Sequence, residues 1–269
     1  MDKPFRLAAS SYLNSAPLIW SFFHGPHLGA VDFVEAVPAR CAHMLAESSV
    51  EGALIPVIEY QGIAASYLVP NVCVGSQKEV LSVVLVSKNK QLENIRSIAL
   101  DESSRTSATL VKVIFREFLE REPEWTTRAP NLEEMLEKND AALIIGDPGM
   151  TFPRQGLNVW DMASLWKKHT GLGFVFAMWM VRDEAVERAR LVDFSGARDE
   201  GVAHIDEIVR AYQDKIPMPV EELRNYLTEN IVFNVDESME KGLRLYFELA
   251  FKHGLIERVK PLRFTGLQD

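Results

Sequence analysis

Phe5-Arg6-Leu7-Ala8-Ala9, running on through Ser10 into Ser11-Tyr12-Leu13-Asn14-Ser15-Ala16-Pro17-Leu18, is the stretch that decides the fold. The first five residues read as a strand. The apolar run then stops in small polar residues, and Pro17 opens a helical pattern through Leu18, Ile19, Phe22 and Phe23. Proline suits the first turn of a helix, where its missing N–H has no partner to lose. A strand that runs through a polar turn into a helix presents free backbone N–H groups, and these favour anions. Ser11, Asn14 and Ser15 can hydrogen-bond a ligand there without carrying charge. Polar helix caps give the same pattern, so this stretch alone leaves cap and ligand site both open.

The same alternation continues along the chain and argues for an α/β architecture. Val31–Val34 reads as a second strand and Ala39–Ser48 as a short helix with Cys41, Met44 and Leu45 on its apolar side. Gly52–Val57 is a buried strand, with Ile58-Glu59-Tyr60 at its exit. Val80–Ser87 reads as a long apolar strand with a single serine, Ser82, inside it. Ile98–Asp101 is a strand, Ala108–Glu120 a helix, Leu132–Lys138 a helix, and Ala141–Ile145 a strand that ends in Gly146-Asp147-Pro148-Gly149. Gly173–Arg182 is the last clear strand. From Glu184 onward the pattern is helical, broken at Ile216-Pro217-Met218-Pro219.

This order predicts two α/β lobes. Residues 1–86 and 178–269 form a discontinuous first lobe, and residues 87–177 a second. Two long strands, near Ser82 and Phe176, carry the chain across, and the cleft between the lobes is the natural small-molecule site. A single doubly wound domain with a helical tail is the competing arrangement.

Composition narrows the function. The chain has 269 residues and a formal net charge of −9, which argues against a nucleic-acid partner. Cys41 and Cys73 are too few for a disulfide framework, which fits a reducing compartment. Met1-Asp2-Lys3-Pro4 shows no secretory pattern, and no apolar run approaches the roughly 20 residues of a membrane span. The expectation is a soluble cytoplasmic protein with no membrane partner; oligomeric state is not readable.

Leu100-Asp101-Glu102-Ser103-Ser104-Arg105-Thr106-Ser107 is the second informative motif. A strand ends, hydroxyl side chains follow, and an uninterrupted helix begins. Ser103, Thr106 and Ser107 with the helix N–H groups make a carboxylate or phosphate cradle, and a well-capped helix with a solvated Arg105 is the plain alternative. The glycines and lysine of a phosphate-binding loop are missing. Asp147 follows a buried strand at a sheet edge where α/β folds bind ligands; it can cap a helix or close the lobe interface. Glu59, at another strand exit, can hold a hydrogen-bond network or act as a base. His24, His27, His43, His169, His204 and His253 show no metal-ligand spacing, and neither a GxSxG elbow nor a GxGxxG loop is present. No metal and no cofactor are therefore expected.

Taken in order, several blocks resemble the chorismate dehydratase family of the futalosine route to menaquinone. They are Ser11-Tyr12-Leu13-Asn14 with Pro17-Leu18, Ile55–Tyr60, Leu81–Ser87, Leu100-Asp101 with Ser103–Ser107, Asp140–Asp147, and Trp166 with Thr170-Gly171-Leu172 and Phe174–Trp179. Pro148-Gly149 and Gly173 depart from the family pattern. A sister enzyme of the same route carries a Cys-Pro-Asn-Asp type turn and a catalytic histidine; neither is matched here, and His169 reads as peripheral.

The resemblance implies a two-lobed fold of the type II periplasmic-binding-protein kind, reused as an enzyme with chorismate as substrate and no cofactor. It implies that Asn14, Ser82 and Glu59 serve catalysis, with Asn14 and Ser82 facing the cleft. Ser11, Tyr12, Ser15, Ser103, Arg105, Thr106, Ser107 and Asp147 would then contact substrate. The base is Glu59, Asp147 or the substrate's own side-chain carboxylate. A carboxylate-binding sensor or solute receptor of the same fold, without turnover, is the alternative function.

Overall fold

The computed structural model describes residues 3–88 and 90–266; Met1 and Asp2, which belong to the N-terminal stretch read above for a secretory pattern, lie outside it. Its strands form two five-stranded sheets. The first holds β1 (Phe5–Ala9), β2 (Val31–Glu35), β3 (Gly52–Pro56), β4 (Ser66–Ser76) and β10 (Phe174–Arg182) in the order β2-β1-β3-β10-β4. The second holds β5 (Val83–Ser87), β6 (Ser97–Asp101), β7 (Glu124–Arg128), β8 (Ala141–Ile145) and β9 (Asn158–Asp161) in the order β7-β6-β8-β5-β9.

In each sheet three strands run parallel, β2-β1-β3 and β7-β6-β8, and the other two are antiparallel additions. The parallel strands explain the helices. A parallel neighbour requires a crossover, and the 3.6-residue apolar spacing supplies one each time. Thus α1 (Ala16–His24) follows β1, α2 (Pro38–Ala46) follows β2, and the short α3 (Glu59–Gly62) follows β3. In the second sheet α4 (Thr106–Val113) follows β6 and α5 (Leu132–Lys138) follows β7, while α6 (Asp147–Thr151) follows β8 and α7 (Met162–Thr170) follows β9. The chain then returns to the first sheet through β10. That strand is a near-continuous apolar run because both its faces are covered, and every residue from Phe174 to Val181 except Ala177 is buried.

The expected divisions at 86/87 and 177/178 fall inside β5 and β10. Sheet membership changes before Val83 and before Phe174. The strand expected from Val80 starts only at Val83. Asp161 Oδ2 takes the N–H groups of Val80 and Leu81 at 2.9 and 2.7 Å, and Leu81 sits at φ +59°. The segment before β5 is therefore a clamped crossing rather than a strand.

The remaining helices, α8 (Val186–Ala189), α9 (Phe194–Ala203), α10 (Ile205–Tyr212), α11 (Val220–Asn225) and α12 (Glu237–Lys252), follow β10. The expected break at Ile216–Pro219 separates α10 from α11. A π-helical turn, Tyr226–Asn230, extends α11. α12 is capped by Asp236, whose carboxylate accepts the Met239 N–H at 2.8 Å. Its Met239, Leu243, Tyr246, Phe247 and Ala250 are buried at helical spacing. The Tyr246 hydroxyl donates to the Thr106 carbonyl at 2.9 Å and so fixes the first turn of α4. No helix among the described residues is long and apolar enough to cross a membrane.

Candidate active site

A cleft lies where the carboxyl ends of the parallel strands of both sheets face each other. Ser10, Tyr12, Asn14 and Ser15 come from the exit of β1, Pro38 from the start of α2, and Pro56 from the end of β3. The opposite wall is Ser104, Arg105, Thr106 and Ser107 between β6 and α4, with Ile145 and Gly146 at the end of β8. Leu54, Val74, Val83, Phe176 and Ala177 supply an apolar floor. The enclosed space is about 70 Å³, well below the roughly 300–1,000 Å³ of an ordinary ligand pocket. A ligand of ordinary size needs more room than these walls leave.

The chemistry of this space comes from helix starts. The first N–H groups of a helix have no partner inside it. α1, α2 and α4 all begin on the cleft, and none of them has a side-chain cap. Their N-terminal partial positive charges lie at this space, and the free N–H donors come chiefly from α4, because Pro17 and Pro38 have none and the Ala16 N–H is bonded to the Leu13 carbonyl. Among the lining residues Arg105 is the sole charged side chain. Ser104 Oγ is fully buried and has no hydrogen-bond partner. Thr106 Oγ1 accepts the Ile58 N–H at 3.3 Å, which leaves its own proton to donate. The site is thus electropositive without a metal and suits carboxylates. Among the described residues no group of three or more His, Cys, Asp and Glu side chains is placed to hold a metal ion.

The Ile58–Thr106 bond is joined by further contacts between the walls. Asp147 Oδ1 accepts the Leu13 N–H at 3.0 Å, capping the 3-10 turn Leu13–Ser15 that leads into α1. It caps and bridges at once, and it is not among the residues that line the cleft, where contact with substrate was expected of it. Above it, the Tyr12 ring lies against Gly146, where an added Cβ would come within 2.9 Å of the ring.

Burial raises the Asp147 carboxyl to about 6, and the Leu13 N–H and Lys215 only partly offset it. A carboxyl raised on folding contributes stability that is complete below its unfolded value near 3.8 and is lost as pH rises through the folded value. Wild-type melting temperature should therefore carry a downward component between about pH 4 and pH 6. Asp147→Asn keeps an acceptor for Leu13 and should remove that component, ending more stable than wild type above pH 6. Parallel melting curves over pH 4–8 check this; identical slopes would refute it.

The remaining expected site residues separate into those on the cleft and those behind it. Tyr12, Asn14, Ser15, Arg105, Thr106 and Ser107 line it. Ser11 does not: its Oγ donates to Glu35 Oε1 at 2.5 Å, away from the cleft. Ser103 does not either. Its hydroxyl and N–H both go to Asp101 Oδ1, at 2.6 and 2.8 Å, an ordinary local cap. Ser82, expected to face the cleft, is fully buried behind its wall, where its Oγ accepts from the Tyr226 hydroxyl at 2.7 Å. The reason is the left-handed Leu81, which turns the following residue inward.

Glu59 lines a separate groove of about 560 Å³ beside the cleft, with Asp101, Glu102, Lys112 and Arg258. Burial holds its carboxyl above the ordinary range, and Arg105, 3.7 Å away, pulls it back. Ser104 and Arg105 border both spaces. Sequence reasoning missed Ser10, Ser104, Pro38 and Phe176 as lining residues. Pro38 carried a usable signal, since a proline after the β2 exit marks a helix start on the same sheet edge.

Comparison with known proteins places this geometry. The sequence profile of a family described as menaquinone biosynthesis matches residues 5–252. A chorismate dehydratase of Thermus thermophilus is 29% identical over 265 residues, covering 91% of this chain and 95% of that protein. A crystal structure of a protein from Archaeoglobus fulgidus superposes with a TM-score of 0.77 at 19% identity, over 94% of this chain and 98% of that one. The periplasmic aliphatic sulphonate binding protein SsuA of Escherichia coli superposes with a TM-score of 0.66 at 14% identity, over 100% and 96%. The fold is periplasmic-binding-protein-like.

Proposed function

The chain belongs to the menaquinone biosynthesis family, and we propose that within it the protein is a cytoplasmic chorismate dehydratase, a hydro-lyase converting chorismate to 3-[(1-carboxyvinyl)oxy]benzoate and water. The observation that carries this reading is the convergence of three uncapped helix starts on one cleft whose lining holds no carboxylate and no histidine. Chorismate brings two carboxylates, and such a cleft binds both without a counter-charge of its own beyond Arg105.

The reaction follows from that arrangement. The ring carbon bearing the ether loses its proton to the base, the conjugated ring carboxylate takes up the developing charge, the C–O bond to the neighbouring hydroxyl breaks as the base returns that proton to the departing oxygen, and water leaves an aromatic ring. Preorganised neutral donors stabilise such charge best where water is excluded. Asn14, Thr106, Ser107 and the α4 N–H groups fill that role. With Glu59 in the neighbouring groove and Asp147 committed to Leu13, the enolpyruvyl carboxylate of the substrate is the base we favour. The two sheets act as lobes that open to admit chorismate and close on it.

Purified protein should convert chorismate, followed by ultraviolet absorbance, in the presence of a chelator. Turnover that vanishes with chelator and returns with zinc or magnesium would overturn this version. Chorismate-induced stabilisation without any turnover would leave a binding protein instead. Thr106→Val removes one carboxylate donor and should weaken substrate binding by about 1.5–3 kcal/mol. An unchanged KM and kcat in the folded variant would reduce the Ser103–Ser107 segment to a helix start.

A further inference from the structure

α12 runs from the crossing before β10 to the far end of α4. Its first half is seated on that crossing: a Cβ at Gly242 would collide with the Gly173 carbonyl, and Ser238 Oγ accepts the Gly173 N–H at 3.1 Å. Its last turn holds the π-helical turn Ile114–Phe118 that extends α4. There Lys252 Nζ donates to both Glu117 carboxylate oxygens at 2.8 Å, and Arg116 Nη1 donates to the His253 carbonyl at 3.0 Å. Between these anchors Tyr246 is fully buried, its ring edge-to-face with Trp166 and Phe174.

A buried phenol is costly unless its hydroxyl finds a partner. The partner here is the Thr106 carbonyl at 2.9 Å, across 140 residues of sequence. Thr106 is the first residue of α4, and that helix start has no side-chain cap. Helix ends fray where nothing holds them. A carbonyl has two lone pairs, so the phenol can be added to a helical bond without displacing it. Thr106 is held at a second point, where its Oγ1 accepts the Ile58 N–H. At 3.3 Å that bond is long for an N–H donor, so the phenol is the firmer of the two anchors. The branched side chain restricts χ1. With the backbone and Oγ1 both fixed, the hydroxyl proton is what remains free to turn, and Thr106 lines the cleft.

We propose that Tyr246 is a positioning residue for substrate binding: from α12 its hydroxyl holds the Thr106 carbonyl, and with it the start of α4, so that the Thr106 hydroxyl donates into the cleft. This role rests on the chorismate dehydratase reading for its effect on KM, though not for its effect on the helix start. It gives α12, which lines no part of the cleft, a share in the site.

In the full chain, Tyr246→Phe should raise KM for chorismate about fivefold, the scale of one hydrogen bond, with kcat changed by less than about twofold. In a Thr106→Val background the same substitution should cost less than about twofold further. An unchanged KM, even with a lowered melting temperature, overturns the proposal, and so do losses that multiply with Thr106→Val. Amide hydrogen exchange of the unliganded protein needs no turnover. The amides that close the first turn of α4, Thr109 on the Arg105 carbonyl among them, should exchange about fivefold faster in Tyr246→Phe, while those of β6 and β8 keep wild-type rates. Unmoved rates in α4 overturn the proposal whether or not chorismate is converted. Faster rates there in a protein that neither binds nor converts chorismate support the anchor and overturn the dehydratase reading instead. Tyr246→4-aminophenylalanine keeps the ring and offers a weaker donor, so its KM and exchange should fall between those of wild type and Tyr246→Phe. If Tyr246→Phe does not fold, this variant carries the test, and wild-type values in it overturn the proposal.

Discussion

Asn14→Ala should lose about 100- to 1000-fold in kcat, the usual consequence of deleting one preorganised donor from a site that stabilises developing charge. The melting temperature should stay close to wild type. Asn14 is only half-buried, and its direct side-chain bond accepts from Ser15, which keeps Ser10 as an alternative partner. Neither an amide nor a hydroxyl is a base near neutral pH, so the loss should appear without a shift in the pH dependence of the remaining activity. Steady-state kinetics and thermal unfolding on one preparation check both halves. Full activity, or a loss that merely follows unfolding, would remove Asn14 from the chemistry.

Gly146→Ala is the second large effect, and it acts through the backbone. Gly146 has φ +69° and ψ −154°, a combination almost confined to glycine and costing of order 1–3 kcal/mol in any other residue. The added Cβ would also sit 2.9–3.1 Å from three atoms of the Tyr12 ring. Neither strain can relax alone. Turning Gly146 moves Asp147 off the Leu13 N–H, and moving Tyr12 displaces the turn that carries Asn14. The melting temperature should fall by several degrees, taking about 2–4 °C per kcal/mol for a chain of this size. Activity should fall more than tenfold at temperatures where the variant is still folded. A variant with wild-type stability and turnover would show that the Tyr12–Gly146 contact positions nothing.

Most of the strand–helix alternation was legible because buried parallel strands are uninterrupted apolar runs. β4 was not. It carries Pro70-Asn71 in its middle, a pair that reads as a turn. In the sheet that pair forms an irregularity: Asn71 has φ +57°, and the pairing with β10 slips between Leu68 and Cys73. β7, Glu-Trp-Thr-Thr-Arg, is a polar edge strand with little apolar pattern to detect. At the site, the segments were legible and the directions of side chains were not. Ser103, Ser104 and Thr106 are alike in sequence, yet the first turns back to Asp101 while the other two line the cleft. Ser82 was misplaced because a leucine in the left-handed region leaves no compositional trace. Its partner Tyr226 lay in a helical stretch with nothing to mark it, since the contact between them spans 144 residues.

The position of β10 between β3 and β4 also sets an order of events on the ribosome. The second sheet draws on one continuous stretch, from Val83 to Asp161, and all its strands exist once that stretch has emerged. The first sheet is started earlier but stays split until Arg182 is made, because the strand that joins β3 to β4 is the last to be synthesised. During that interval the nascent chain must hold Gly52–Pro56 and Ser66–Ser76 with their facing edges unpaired, the kind of exposed apolar edge that promotes aggregation. The inserted unit should therefore be the first to acquire protection in pulse-labelled hydrogen exchange, with β6 and β8 ahead of β3 and β4. A nascent chain stalled between residues 161 and 174 should be the species most dependent on chaperones.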